Sequence, residues 1–165
     1  MAVNGKAKGS SFERKIANLL SDRFKSITGI EQSFRRNPDS GSFFGGSNKR
    51  RTETHDLDYA IFGDLICPKN FKFSVECKFY KQGPTFAAIV KGDITQWDDW
   101  LKQAKQDSEL YHKGLMLIMK YNGISEVVLT EQQYDNITSV MPYKGFYLYK
   151  LSEFLTLKDE IFFNI

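Results

Sequence analysis

The sequence predicts a mixed α/β fold, and three patterns carry that expectation. Residues 71–80 alternate strictly, with Phe71, Phe73, Val75, Cys77 and Phe79 on one face and Lys72, Ser74, Glu76, Lys78 and Tyr80 on the other, which is the period of a strand. Two stretches repeat apolar residues at helical spacing instead: Phe12, Ile16, Leu19 and Leu20 within 10–24, and Ile94, Trp97, Leu101 and Ala104 within 93–110. Short apolar runs at 114–120 (GLMLIMK) and 125–130 (SEVVLT) then read as buried strands. At 165 residues and 41% hydrophobic content, the chain is the length of one domain, 1–165, and too apolar to remain disordered.

In chain order, residues 1–9 are small, polar and basic and read as a flexible lead-in. Ser10 precedes Glu13 by three, the capping-box spacing, and is expected to open the first helix. Residues 31–55 hold glycines, a proline and five basic side chains without periodicity, and read as a long mobile loop of the kind that is usually functional. Residues 56–66 read as a strand and 67–70 as a turn before the alternating strand. A Gly-Pro break at 83–84 precedes the second long helix, and 143–150 reads as a further strand. The last two segments, 151–157 and 159–165, fit either short helix or strand.

Charge is distributed unevenly. The net charge is only +3, yet all six arginines lie in the first 51 residues, which carry a local excess of +7, while the remainder carries −4. A basic region beside an acidic one suggests a polyanion bound next to an anionic site. Two cysteines, neither in a CxxC nor at zinc-ligand spacing, make no disulfide framework and read as core residues, and a cytoplasmic, reducing compartment is the expectation. The longest apolar runs are far shorter than a membrane span, so no membrane partner is expected.

The chemistry centres on Asp64 and, twelve residues on, Glu76-Cys77-Lys78. Two acids on neighbouring strands can converge on a hard cation such as Mg²⁺, and a lysine two residues beyond the glutamate shares its strand face. Phosphodiester hydrolysis needs metal placement, an activated water and charge stabilisation, and this set supplies a candidate for each. The acid-x-Lys tripeptide alone is weak, since Glu13-Arg14-Lys15 also fits, but only Glu76-Cys77-Lys78 lies on an alternating strand. The plainer alternative is a solvated sheet face. Asp58 and Asp56 rival Asp64 for the first acid position, with Asp58 a supporting residue if it is not a ligand, and His55 is an outside candidate for general base. Glu13 either completes the capping box or, because it continues the line of Ala17, Leu20 and Phe24, carries a carboxylate to the core edge, where a cation would be expected. Arg35, Arg36, Lys49, Arg50 and Arg51 could each neutralise a phosphate, with Phe34, Phe43 and Phe44 available to stack or wedge. Trp97 and Trp100 read as core, or one of them as a dimer contact.

Three blocks in order, KGSSFERKIANLL, SFRRNPDSGSFFGG and GDLICPKNFKFSVECK, resemble the PD-(D/E)xK nuclease superfamily. Within it they are most similar to archaeal-type Holliday junction resolvases and their relatives from phages and mobile elements. The resemblance spans roughly residues 7–104 and implies a restriction-endonuclease-like core, a mixed central β-sheet flanked by helices. It implies Glu13, Asp64, Glu76 and Lys78 as catalytic residues, with Mg²⁺ (Mn²⁺ substituting) held by Asp64, Glu76, the Cys77 carbonyl and Glu13. It further implies phosphate contacts from Ser40 and Ser42, a glutamine facing the site, for which Gln103 is the candidate in WDDWLKQA, and a homodimer acting on DNA. One departure is that Asp64 follows Gly63 rather than proline. The expected activity is a metal-dependent DNA endonuclease selective for branched DNA. A restriction-like or general DNA-processing nuclease, and a non-cutting DNA-binding module, are the alternatives.

Overall fold

The computed structural model describes residues 5–38 and 59–165. Helix α1 (Gly5–Arg23) and the short α2 (Lys25–Thr28) lead into a two-residue strand β1 (Arg35–Arg36). Strands β2 (Tyr59–Phe62) and β3 (Leu65–Pro68) follow, with β3 between β1 and β2 in a small antiparallel sheet. The main sheet has the order β4-β5-β6-β8-β7, built from β4 (Phe73–Tyr80), β5 (Gly114–Tyr121), β6 (Val127–Thr130), β7 (Met141–Tyr143) and β8 (Phe146–Lys150). Between β4 and β5 run α3 (Phe86–Lys91) and α4 (Thr95–Leu110), and α5 (Leu151–Phe154) and α6 (Asp159–Phe162) close the chain.

The β4 and β5 strands pair in parallel, Glu76 opposite Leu117 and Lys78 opposite Met119, and all other pairs of the main sheet are antiparallel. A parallel pair requires a long crossover, and α3–α4 supply it. The sheet is covered on both faces, as such pairs demand. On one side Phe12, Ile16, Leu20 and Phe24 pack with Val75, Cys77, Met116 and Ile118. On the other, Trp97, Trp100, Leu101 and Ala104 of α4 pack with Leu115, Leu117 and Met119. The run Leu115–Met119 is apolar throughout because alternate residues enter different cores. This is the mixed sheet flanked by helices that the sequence predicts. No helix among the described residues is long and apolar enough to cross a membrane.

Several local expectations are corrected. The first helix begins at Gly5, so residues 5–9 are helical, and Ser10 lies inside the helix, where it cannot serve as a cap. Residues 59–68 are a hairpin, because the chain turns at Gly63 (φ 78°) and Asp64. Arg35 and Arg36 pair with Ile66 and Leu65, so the loop expected from residue 31 is ordered as far as β1. Phe34 is buried among Phe24, Phe71 and Phe163 and is unavailable to DNA; Ser21 Oγ fixes it there, accepting from its N–H at 2.9 Å. The Gly-Pro break is followed by the unanticipated α3, whose N-cap Thr85 accepts from the Ala88 N–H, and α4 starts at Thr95 rather than 93. Residues 143–150 form a hairpin turn and strand rather than one strand, with Lys144 (φ 47°) and Gly145 (φ 85°) in the turn. Both tail segments contain short helices. Trp97 and Trp100 are core residues, as are the free cysteines Cys67 and Cys77.

Candidate active site

The acids meet at the outer edge of β4. Its inner edge pairs with β5, and its outer edge is met by the turn between β2 and β3 through a single bridge, Gly63 to Val75. The Asp64 N–H donates to the Val75 carbonyl at 2.8 Å. A side chain at 63 would bring its Cβ to 2.3 Å from that same oxygen, so the close approach requires glycine as much as the positive φ does. From this turn the Asp64 carboxylate reaches along the edge, where Oδ2 accepts the Cys77 N–H at 2.8 Å. The Asp64 carbonyl accepts the N–H of Asn37 at 2.8 Å, and Asn37 Nδ2 donates to the Gly63 carbonyl at 3.4 Å, so a buried asparagine holds the turn from the β1 side. Sequence reading missed Asn37; its position before Pro38 was the available signal.

Alternation puts Glu76 and Lys78 on the face that α4 covers. Glu76 is only 3% exposed, which rules out the solvated-face alternative. Lys78 Nζ lies 2.6 Å from Glu76 Oε1 and 3.4 Å from Gln103 Oε1 of α4, so Gln103 faces the site. The Glu76 contact is an ion pair by distance, but its angles fall short of a directed hydrogen bond, leaving Oε1 buried without a conventional donor. Asp107, one turn beyond Gln103 on α4, is close enough to act electrostatically on Glu76 and Lys78 and was not anticipated. Its i, i+4 relation to Gln103 was the legible signal.

Glu13 projects from α1 and accepts from Arg36 Nε at 2.6 Å. The expected core-edge carboxylate is therefore present, and a cation meets it. Arg36, expected on DNA, is engaged inside the protein, whereas Arg35 is exposed with its guanidinium 5.2 Å from the Tyr59 ring centroid. Ser40, Ser42, Lys49, Arg50, Arg51 and Asp58 lie outside the described residues, as do Asp56, His55, Phe43 and Phe44.

The electrostatics follow from burying several acids together. Burial and the neighbouring Glu76 push the Asp64 carboxyl well above the usual carboxylate range, opposed by the Cys77 N–H. Burial likewise raises Glu76, with Lys78 opposing and Asp107 and Glu13 adding to the rise. Burial raises the Cys77 thiol, and the adjacent carboxylates raise it further, so it is an inert core thiol. Burial alone would lower Lys78, but Glu76 and Asp64 more than offset it, so the lysine remains cationic. Among the described residues no three His, Cys, Asp or Glu side chains are gathered as a ready-made metal cluster. The fit to a hard cation rests instead on two buried carboxylates that repel each other, one with an undonated oxygen.

A mixed sheet whose edge strand carries Glu-x-Lys beside a turn aspartate is the arrangement of the PD-(D/E)xK nucleases. A family model described as "Phage putative PDDEXK endonuclease" matches residues 4–162, and the chain belongs to that family. Comparisons with curated proteins and with solved structures gave no match.

Proposed function

We propose that this nuclease is a Mg²⁺-dependent DNA endonuclease, with Mn²⁺ able to substitute, selective for branched DNA in the manner of a Holliday junction resolvase. The observation carrying the reading is the edge of β4, where Asp64 is tied to the Cys77 amide beside Glu76 and Lys78. Asp64, Glu76 and the Cys77 carbonyl are the ligands of choice, with Glu13 acting directly or through water. When bound, the cation supplies Lewis-acid activation of water and neutralisation of phosphate charge.

The chain's own residues do the rest. Lys78 stays protonated, so it acts as a hydrogen-bond donor and positive charge rather than as a base. Its ammonium orients the attacking water and stabilises negative charge as the phosphorus becomes five-coordinate. Gln103 fixes its direction through the 3.4 Å contact. Glu13, held by Arg36, keeps a third carboxylate at the mouth of the site. Arg35, with Lys49, Arg50, Arg51, Ser40 and Ser42, grips the phosphodiester backbone. Such contacts position DNA without reading its sequence, in keeping with recognition of branch structure. A four-way junction has two-fold symmetry and needs two cuts, which a homodimer would supply. All 165 residues would act as one nuclease domain in the cytoplasm of a prokaryotic or phage-infected cell, where the two cysteines stay reduced.

Cleavage of a synthetic four-way junction and of linear duplex of the same sequence in Mg²⁺ tests this reading. Junction cleavage at least about tenfold faster than duplex cleavage, abolished in Lys78→Ala, is the expected result. Equal rates on the two substrates would remove branch selectivity, and an unimpaired Lys78→Ala would remove the site.

A further inference from the structure

Three lysines surround a groove on the α1 side of the sheet, beyond the acids. Lys8, Ser11 and Lys15 lie on one stripe of α1 at i, i+3 and i+7. The facing wall is Phe79 of β4 and Lys120 of β5, and the groove between them encloses about 370 Å³. Phe79 directly follows Lys78 and so points to the other face of β4, and Glu13 lies on the opposite flank of α1 from the Lys8–Ser11–Lys15 stripe. The groove therefore adjoins the elements that carry the site without opening into it.

Its charge is poorly balanced. Lys15 and Lys120 (3.5 Å) share a single carboxylate, Glu126. Among the described residues Lys8 meets no acid; its Nζ sits 3.9 Å from the Phe79 ring centroid and 3.4 Å from Asn122 Oδ1. An ammonium over an aromatic face, beside an amide oxygen, is held in place with its charge undiminished. The groove therefore presents fixed positive charge over an aromatic floor, open to solvent.

We propose that this groove is a second phosphate-binding track, separate from the acids, which holds a DNA strand against α1. The inference rests on the nuclease reading and extends it to residues of the helix and sheet. Lys8 and Lys15 are about 10 Å apart along the helix axis, at 1.5 Å per residue. That span is of the order of the distance between neighbouring phosphates of one strand, so Lys8 and Lys15 can each meet one, with Lys120 facing them across the groove. A lysine acts as a point charge towards phosphate, so the track contributes affinity and direction without sequence preference. Phe79 adds an apolar surface against which a sugar or an unpaired base can lie.

Binding of a fluorescent four-way junction and of linear duplex, in Ca²⁺ in place of Mg²⁺, is measured across a range of salt for the full chain. The triple variant Lys8→Ala, Lys15→Ala, Lys120→Ala should bind at least tenfold more weakly at about 0.1 M salt. The slope of log K against log[salt] should fall by about 2 to 3, at roughly 0.9 for each phosphate that is no longer neutralised. The corresponding triple arginine variant should restore both, which separates the removal of charge from a damaged fold. Wild-type affinity and slope in the alanine variant would overturn the track and leave the nuclease reading standing. A wild-type chain that binds neither DNA would overturn both.

Discussion

The carboxylate of Asp64 and the backbone amide of Cys77 are joined by a 2.8 Å hydrogen bond that links the turn between β2 and β3 to the edge strand. One oxygen thereby satisfies an edge N–H that has no strand partner, and the acid is fixed beside Glu76. The same bond helps two mutually repelling carboxylates stay buried at this point: the backbone amide compensates Asp64, and Lys78 compensates Glu76.

Removing either charge should stabilise the metal-free protein while stopping cleavage. Asp64→Asn keeps an oxygen for the Cys77 N–H and relieves the repulsion, as does Glu76→Gln. Urea unfolding in EDTA should show each variant more stable than wild type by about 0.5–2 kcal/mol, the usual cost of a functional acid. Loss of stability in both variants would mean that the acids are structural.

Stability should also depend on pH, in a definite direction. A carboxyl whose pKa rises on folding binds more protons folded than unfolded, so unfolding releases protons and stability falls as pH rises. Asp64 and Glu76 are both raised, so in the metal-free protein these two groups should contribute a loss of thermal stability from about pH 4 upward, through the raised folded values. That contribution is opposite in sign to the one from the lowered Asp98 and Glu126. The trend should flatten in Asp64→Asn. Mg²⁺ should restore stability at neutral pH, in proportion to RT ln(1 + [Mg²⁺]/Kd).

Gly63→Ala should be among the most damaging single-methyl changes in the chain. The added Cβ would sit 2.3 Å from the Val75 carbonyl oxygen at a φ of +78°, so the turn must move away from β4. Chemical denaturation should show a loss of about 2 kcal/mol or more, and activity should fall with it because Asp64 rides on that turn. An active, stable variant would show that the bridge to Val75 is dispensable.

A double-mutant cycle can weigh the 2.6 Å contact between Glu13 and Arg36. Both side chains are largely shielded, so replacing Arg36 by Gln, Glu13 by Gln, and both together should reveal a coupling of about 1–3 kcal/mol in unfolding free energy. A coupling near zero would show that the contact with Glu13 adds nothing to stability.

Much of this was legible from periodicity. The alternation of residues 71–80 placed Glu76 and Lys78 together on one face, because that depends only on local backbone geometry, whereas Gln103 followed from the family resemblance of WDDWLKQA. The Ser10–Glu13 pair misled, since capping-box spacing cannot reveal where a helix actually begins; α1 starts well before it, at Gly5. Phe34 looked like part of a basic loop and proved to be core, because its burial is decided by Phe24, Phe71 and Phe163, which are distant in sequence.

By itself the sequence determined the α/β class and the faces of β4 and α4. These rest on local spacing, which any backbone of that type must obey. Only the tertiary structure decided that Glu76 is covered by α4, that Glu13 meets Arg36, and that three lysines from α1 and β5 share one groove. The physical reason is that burial and charge pairing are properties of segments brought together by packing, and neither has a period that a chain can display on its own.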